Sequence, residues 1–160
     1  MNRPAAESHV KILFEIEGEN GSIETESLWA IPVEAGYKID NIPFYARDVA
    51  LDDVVQAEPD DDGMLRYTGL VEASGHSTVR LWFSDTKQVA SVREVLRQMG
   101  CVSEVDLARL VAVDVPERIP YAKVRAYLDI QENAGILDYE ESCMAEEEAA
   151  IRPDKRSDNV

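Results

Sequence analysis

From Val10 to Glu17 apolar and charged residues alternate, with Val10, Ile12, Phe14 and Ile16 on one face and Lys11, Glu15 and Glu17 on the other. A period of two predicts a half-buried strand. Asn20-Gly21 is turn chemistry suited to positive φ, and a second strand is predicted over Ile23 to Ile31, broken by Pro32 to Gly36. Tyr37 to Tyr45 reads as a short third strand, in which Pro43 indicates an edge or bulge position. Val54 to Glu58 and Leu65 to Ala73 flank the turn residues Pro59-Asp60-Asp61-Asp62-Gly63, which predicts a hairpin. Short strands with polar turns up to position 75 predict a small, strongly bent sheet or SH3-like barrel.

His76 to Phe83 is rich in β-branched and aromatic residues and predicts the next strand, after which the period lengthens. Asp85 with Gln88 resembles a capping box, and Val89, Val92, Val95, Leu96 and Met99 recur at helical spacing before Gly100. Leu110 to Val115 suits a buried central strand. Pro120 fits the first turn of a second helix, with Tyr121, Val124, Tyr127 and Leu128 as its apolar stripe up to Gly135. Ile136 to Glu141 reads as a last strand, and Cys101 to Val105 as an added edge strand. The predicted class is α+β: an N-terminal β-rich, barrel-like half, then a ferredoxin-like α+β half with two helices on a mixed sheet. The expected divisions are a flexible N-terminus (1–8), a β-rich subdomain (9–75), an α+β subdomain (76–143) and an acidic flexible tail (144–160).

At 160 residues the chain suits one domain or two small subdomains. Its 32 acidic and 16 basic residues leave a net charge of −16. That balance argues against nucleic-acid binding, which needs clustered Lys and Arg. No apolar run is long enough to span a bilayer. Met1 to Ser8 lacks a hydrophobic core of the kind a secretion signal needs, so a cytoplasmic location is expected. Cys101 and Cys143 stand far apart and are expected to be free thiols.

Candidate chemistry is sparse. Glu58, Asp60, Asp62 and Gly63 match four positions of a calcium-loop template, but its bidentate glutamate position falls on Gly69. The reading preferred for this loop is a solvated hairpin tip. Ser74-Gly75-His76-Ser77 sets a hydroxyl beside an imidazole, yet neighbours on a strand point to opposite faces and no GxSxG elbow is present. His9, His76, Cys101 and Cys143 lack the closely spaced pairs of a zinc site. Neither GxGxxG nor GxxxxGK[ST] occurs. No cofactor or metal is therefore expected. Trp29, Trp82, Phe44, Tyr45 and Phe83 read as core, with one of Phe44 and Tyr45 left to line a groove or touch a partner.

The segments ESLWA (Glu26 to Ala30), DNIPFYARDVALDDVV (Asp40 to Val55), SGHSTVR (Ser74 to Arg80) and LVAVDVP (Leu110 to Pro116) resemble the bacterial family known as domain of unknown function 4265, over Glu26 to Tyr139. The resemblance implies a glycine where this chain has Asp52. It also implies a small cytosolic bacterial protein, with some members among toxin and immunity genes, and it implies no mechanism.

Three functional expectations follow. The first is a non-enzymatic, immunity-type inhibitor that neutralises a basic toxin or effector domain through Asp52, Asp53, Asp60, Asp61 and Asp62. The second is a small-molecule-binding or catalytic domain, with a pocket between the halves that draws on Asn41, Tyr45, Ser74, His76 and Arg80. The third is a regulatory interaction module.

Overall fold

The computed structural model describes residues 8–145. The ends expected to be flexible, 1–8 and 144–160, lie outside the described residues apart from Ser8, Met144 and Ala145. Five strands form a closed barrel: β1 (Val10–Glu17), β2 (Ile23–Val33), β3 (Gly36–Ile39), β4 (Val54–Pro59) and β5 (Leu65–Glu72). Neighbours pair antiparallel in chain order. A short parallel contact of Ile12 and Leu13 with Leu65 and Arg66 closes the ring. The inward positions of the alternating pattern make the core, with Ile12, Phe14, Leu28, Ala30, Ile39 and Val55 all buried.

Two expectations change here. Pro32 does not end β2; it pairs with Tyr37 in the hairpin to β3. The third strand stops at Ile39, and residues 40–53 cross as an irregular segment that contains Pro43. The reason lies in β2. The Glu26 carboxylate accepts the backbone N–H groups of Phe44, Tyr45 and Ala46 at 2.8, 3.1 and 2.9 Å. Those groups are satisfied without a strand partner, while Ile42, Ala46, Val49 and Ala50 bury their side chains.

The second half runs β6 (Ser77–Phe83), α1 (Val89–Met99), β7 (Ser103–Asp106), β8 (Leu110–Val115), α2 (Tyr121–Asn133) and β9 (Leu137–Cys143), with the sheet in the order β7-β8-β6-β9. This is the ferredoxin-like arrangement, antiparallel throughout and not mixed. Each helix returns the chain to a strand two places away, so strands that run the same way never sit side by side. Val79, Leu81, Phe83, Val111, Val113 and Val115 form the face covered by both helices, through Val92, Leu96, Val124 and Leu128. Asp85 accepts the Lys87 N–H as α1 approaches, and Gly100 ends that helix in the left-handed conformation.

Alternation also explains a misplaced pair of aromatics. Trp29 lies between inward Leu28 and Ala30, and Trp82 between Leu81 and Phe83, so both indoles point outward and only Phe83 is core. Each indole is covered by a cation instead, Lys11 over Trp29 and Arg80 over Trp82.

The second face of the sheet meets the 40–53 crossing. Arg80, 5% exposed, donates to the Phe44 carbonyl at 2.8 Å and forms an ion pair with Glu140. Arg47 reaches the same Glu140, and the Asp48 N–H donates to the Ser142 carbonyl at 3.1 Å.

Candidate functional site

The seam between the halves opens into a cleft of about 530 Å³. Its apolar part comes from Leu70 at the end of β5, Val115 and Ile119 around the end of β8, and Met144 after β9. Its polar part includes Asp48, Asp53, Glu72 and Glu117 together with the Ser74–Ser77 stretch that joins the two halves. Tyr121 adds a buried phenol that donates to Glu141, itself paired with Arg125. Burial and the Glu141 carboxylate push the Tyr121 hydroxyl far above the usual phenol range.

His76 is the functional group best held in this cleft. Gly75 precedes it at φ +89°, the left-handed backbone that favours glycine, with the movable end of the Glu117 side chain close by. Ser74 Oγ donates to the Leu51 carbonyl at 2.8 Å and accepts the His76 N–H at 3.1 Å. The ring then lies with Nδ1 2.8 and 2.9 Å from the two oxygens of Asp114. Asp114 is 1% exposed, and burial raises its carboxyl above the usual range while the His76 bond opposes that rise. An ionised carboxylate only accepts, so Nδ1 is the nitrogen that donates to Asp114. Nε2 stands 3.7 Å from Asp52 Oδ2, at the edge of the 40–53 crossing. Asp52 takes φ 67°, the left-handed backbone a glycine would favour and that aspartate tolerates better than most residues.

The five aspartates expected to form one acidic surface are divided. Asp53 is 3% exposed and works internally, accepting the N–H groups of Ser74 at 2.8 Å and Ala50 at 2.9 Å. Asp60 also serves its own turn, accepting the N–H groups of Asp62 and Met64 and the Arg66 guanidinium. Those bonds, the Met64 N–H first, hold its carboxyl below the usual range. Asp61 and Asp62 are exposed on the tip. The tip and the cleft lie at opposite ends of β4, a six-residue strand, and so are about 20 Å apart. The same internal bonds account for the partial calcium template. Among the described residues no group of three or more His, Cys, Asp or Glu is placed to hold a metal ion.

Of the five pocket candidates, Ser74 and His76 line the cleft, and the other three do not. Asn41 Oδ1 accepts the Trp29 N–H at 2.7 Å. The Tyr45 hydroxyl donates to Asp106 across the seam at 2.7 Å, and burial together with that carboxylate pushes it up to about 12. Arg80 fastens the crossing to the sheet. The residues that sequence reasoning passed over are Asp114, Glu117, Ile119 and Met144. Asp114 carried a signal, because it is a carboxylate inside LVAVDV, a strand with every residue buried. Cys101 and Cys143 are thiols that form no disulfide among the described residues. Burial, with Asp114 nearby, pushes the Cys101 thiol up to about 11.

A solved structure titled "Novel crystal structure of a hypothetical protein from Neisseria gonorrhoeae" has the same fold, with a TM-score of 0.75 over 88% of this chain and 98% of that one, at 23% identity. No curated protein matches the chain. The family model described as "Domain of unknown function (DUF4265)" matches residues 26–139, from the glutamate that organises the crossing segment to the tyrosine midway along β9. That span takes in the crossing, the His76 turn and the buried Asp114, and the chain belongs to this family.

Proposed function

We propose that the protein is a non-enzymatic, acidic binding protein of the cytoplasm, an immunity-type inhibitor that neutralises a basic toxin or effector domain by direct association. The observation that carries this reading is the cleft at the seam, where apolar walls meet Asp48, Asp53, Glu72 and Glu117 in a chain of net charge −16. Toxin domains that act on phosphate-bearing substrates need basic surfaces, and an acidic partner meets them quickly through long-range attraction. Such steering raises association rates by about 10- to 1,000-fold at low salt. The test is co-expression with the products of the neighbouring reading frames, followed by size-exclusion chromatography and association kinetics at rising salt. Protection, a stable complex and an association rate that falls with salt are expected. Loss of protection together with no complex would end the proposal.

A second reading is a small-molecule-binding or catalytic domain. It is favoured by the size of the cleft, within the range of ligand pockets, and by an imidazole oriented through a buried carboxylate. A thermal-shift screen with small metabolites, run on the wild type and on His76→Ala, separates the two. A hit lost in the variant favours this second reading.

A further inference from the structure

Thr78 and Arg80 stand two residues apart on β6, and the alternation that sends Val79 and Leu81 toward the helices turns both of them the other way. Arg80 shows where that face looks, because it donates to the Phe44 carbonyl of the crossing segment. Asp114 shares the layer, directly opposite Thr78 in the ladder between β6 and β8. All three side chains are closed off from solvent, Thr78 completely.

The hydrogen bonding of this layer is incomplete. Among the described residues no partner reaches Thr78 Oγ1 or Arg80 Nε. A buried hydroxyl left in that condition is costly, because it gave up its bonds to bulk water on folding. Asp114 has the complementary shortage. Its two oxygens share the single His76 Nδ1–H at 2.8 and 2.9 Å, and no other hydrogen-bond donor among the described residues reaches them. An ionised carboxylate offers about four acceptor sites.

Thr78 therefore holds an O–H in need of an acceptor, beside acceptors in need of a donor, and the two do not meet. Directly opposed side chains on neighbouring strands stand about 4.5–5.5 Å apart at Cβ. One water joins two oxygens across such a gap through two bonds of about 2.8 Å. Room for it comes from Ala112, which lies on the same face two residues before Asp114 and carries only a methyl group.

We infer that a buried water molecule bridges Thr78 Oγ1 and the Asp114 carboxylate beneath the crossing segment, so that His76 is held in the cleft through a chain of Thr78, water and Asp114. The water accepts the Thr78 O–H and donates to Asp114. Burial raises the Asp114 carboxyl, and a donated bond from water opposes that rise as the His76 bond does. An anion is excluded by the charge of Asp114, and among the described residues no group of three or more His, Cys, Asp or Glu is placed to hold a metal ion. A neutral molecule that both donates and accepts is what the two groups require. Thr78 is thereby a positioning residue: through the water it fixes the carboxylate that orients the imidazole.

The test counts long-lived water in the full chain by oxygen-17 magnetic relaxation dispersion, which responds to molecules held inside a protein and not to its exchanging hydration layer. Thr78→Val keeps the side-chain shape and removes the hydroxyl, and its dispersion amplitude is expected to fall by the share of about one water. Thr78→Ser keeps the hydroxyl, and its amplitude is expected to match the wild type. Internal waters elsewhere contribute equally to all three proteins and cancel. The thermal midpoint of Thr78→Val is expected to fall by about 2–4 °C, because Asp114 loses a donor. Equal amplitudes in the wild type and Thr78→Val overturn the inference. A midpoint that stays or rises also overturns it, since replacing a truly orphaned hydroxyl with a methyl group relieves the fold. High-resolution diffraction from the wild type reads the same place without a variant. Density for a water within hydrogen-bond distance of both oxygens is expected, and a direct bond between Thr78 and Asp114, or no density there, overturns the inference.

Discussion

The aspartates at 52 and 53 close a turn pressed between barrel and sheet, whereas those at 60 to 62 stand on a hairpin tip in water. In composition the two clusters are alike, each a short acidic run beside strand β4. Their surroundings give them different work. Asp53 is consumed by two backbone donors and Asp52 is turned toward an imidazole. At the tip one carboxylate shapes the turn and the other two remain solvated. Charge therefore says little about a binding surface until each carboxylate's internal partners have been counted.

The comparison breaks first at Asp53. Asp53→Ala leaves the N–H groups of Ala50 and Ser74 without their partner in a buried turn, and each is expected to cost about 1–3 kcal/mol. Urea unfolding should show a loss of about 2–4 kcal/mol, and an unchanged midpoint would remove Asp53 from the architecture. Tyr45→Phe deletes a single bond across the seam to Asp106 and should cost about 1 kcal/mol by the same measurement. A much larger loss would mean that Tyr45 organises more of the seam than that bond.

Asp60 and Asp114 sharpen the comparison through opposite pH slopes. The Asp60 carboxyl lies below its ordinary 3.8, so its stabilising share is present above that value and is lost as pH falls through the folded value. Asp114 lies above 3.8, so the folded state binds its proton more tightly, and its contribution declines as pH rises from 3.8 through the folded value. Unfolding midpoints at acidic pH, compared with Asp60→Asn and Asp114→Asn, should show differences of opposite slope. Parallel curves would contradict the assignment. The smallest effect belongs to the tip. Asp61→Asn with Asp62→Asn should leave the unfolding midpoint unchanged, and should slow association with a basic partner only at low salt. A salt-independent loss of affinity would move the interface from the cleft to the tip.

Much of the fold was legible because local patterns and tertiary needs agree. Val10 to Glu17 alternates in the sequence and again in the barrel, and the stripe Val89, Val92, Leu96 faces the sheet as its spacing requires. Residues 40–45 were misread as strand because a carboxylate 14 residues before Asp40 supplies the partners that a strand would have needed. The two tryptophans were misread because hydrophobicity overrode alternation. In the cleft, Ser74 and His76 were visible through the turn they share. Glu117 and Met144 were not, since nothing local marks them.

The amino-acid sequence by itself determined the order of strands and helices, the turns and the acidic balance, because these depend on residue type and spacing over a few neighbours. The tertiary structure decided which carboxylates became internal scaffolding and which of them meet the two nitrogens of His76. It could do so because burial and hydrogen-bond partners come from residues distant in the chain, with Asp114 38 positions from His76 and Ser74 21 positions from Asp53. Only the closing of barrel against sheet brings them within reach.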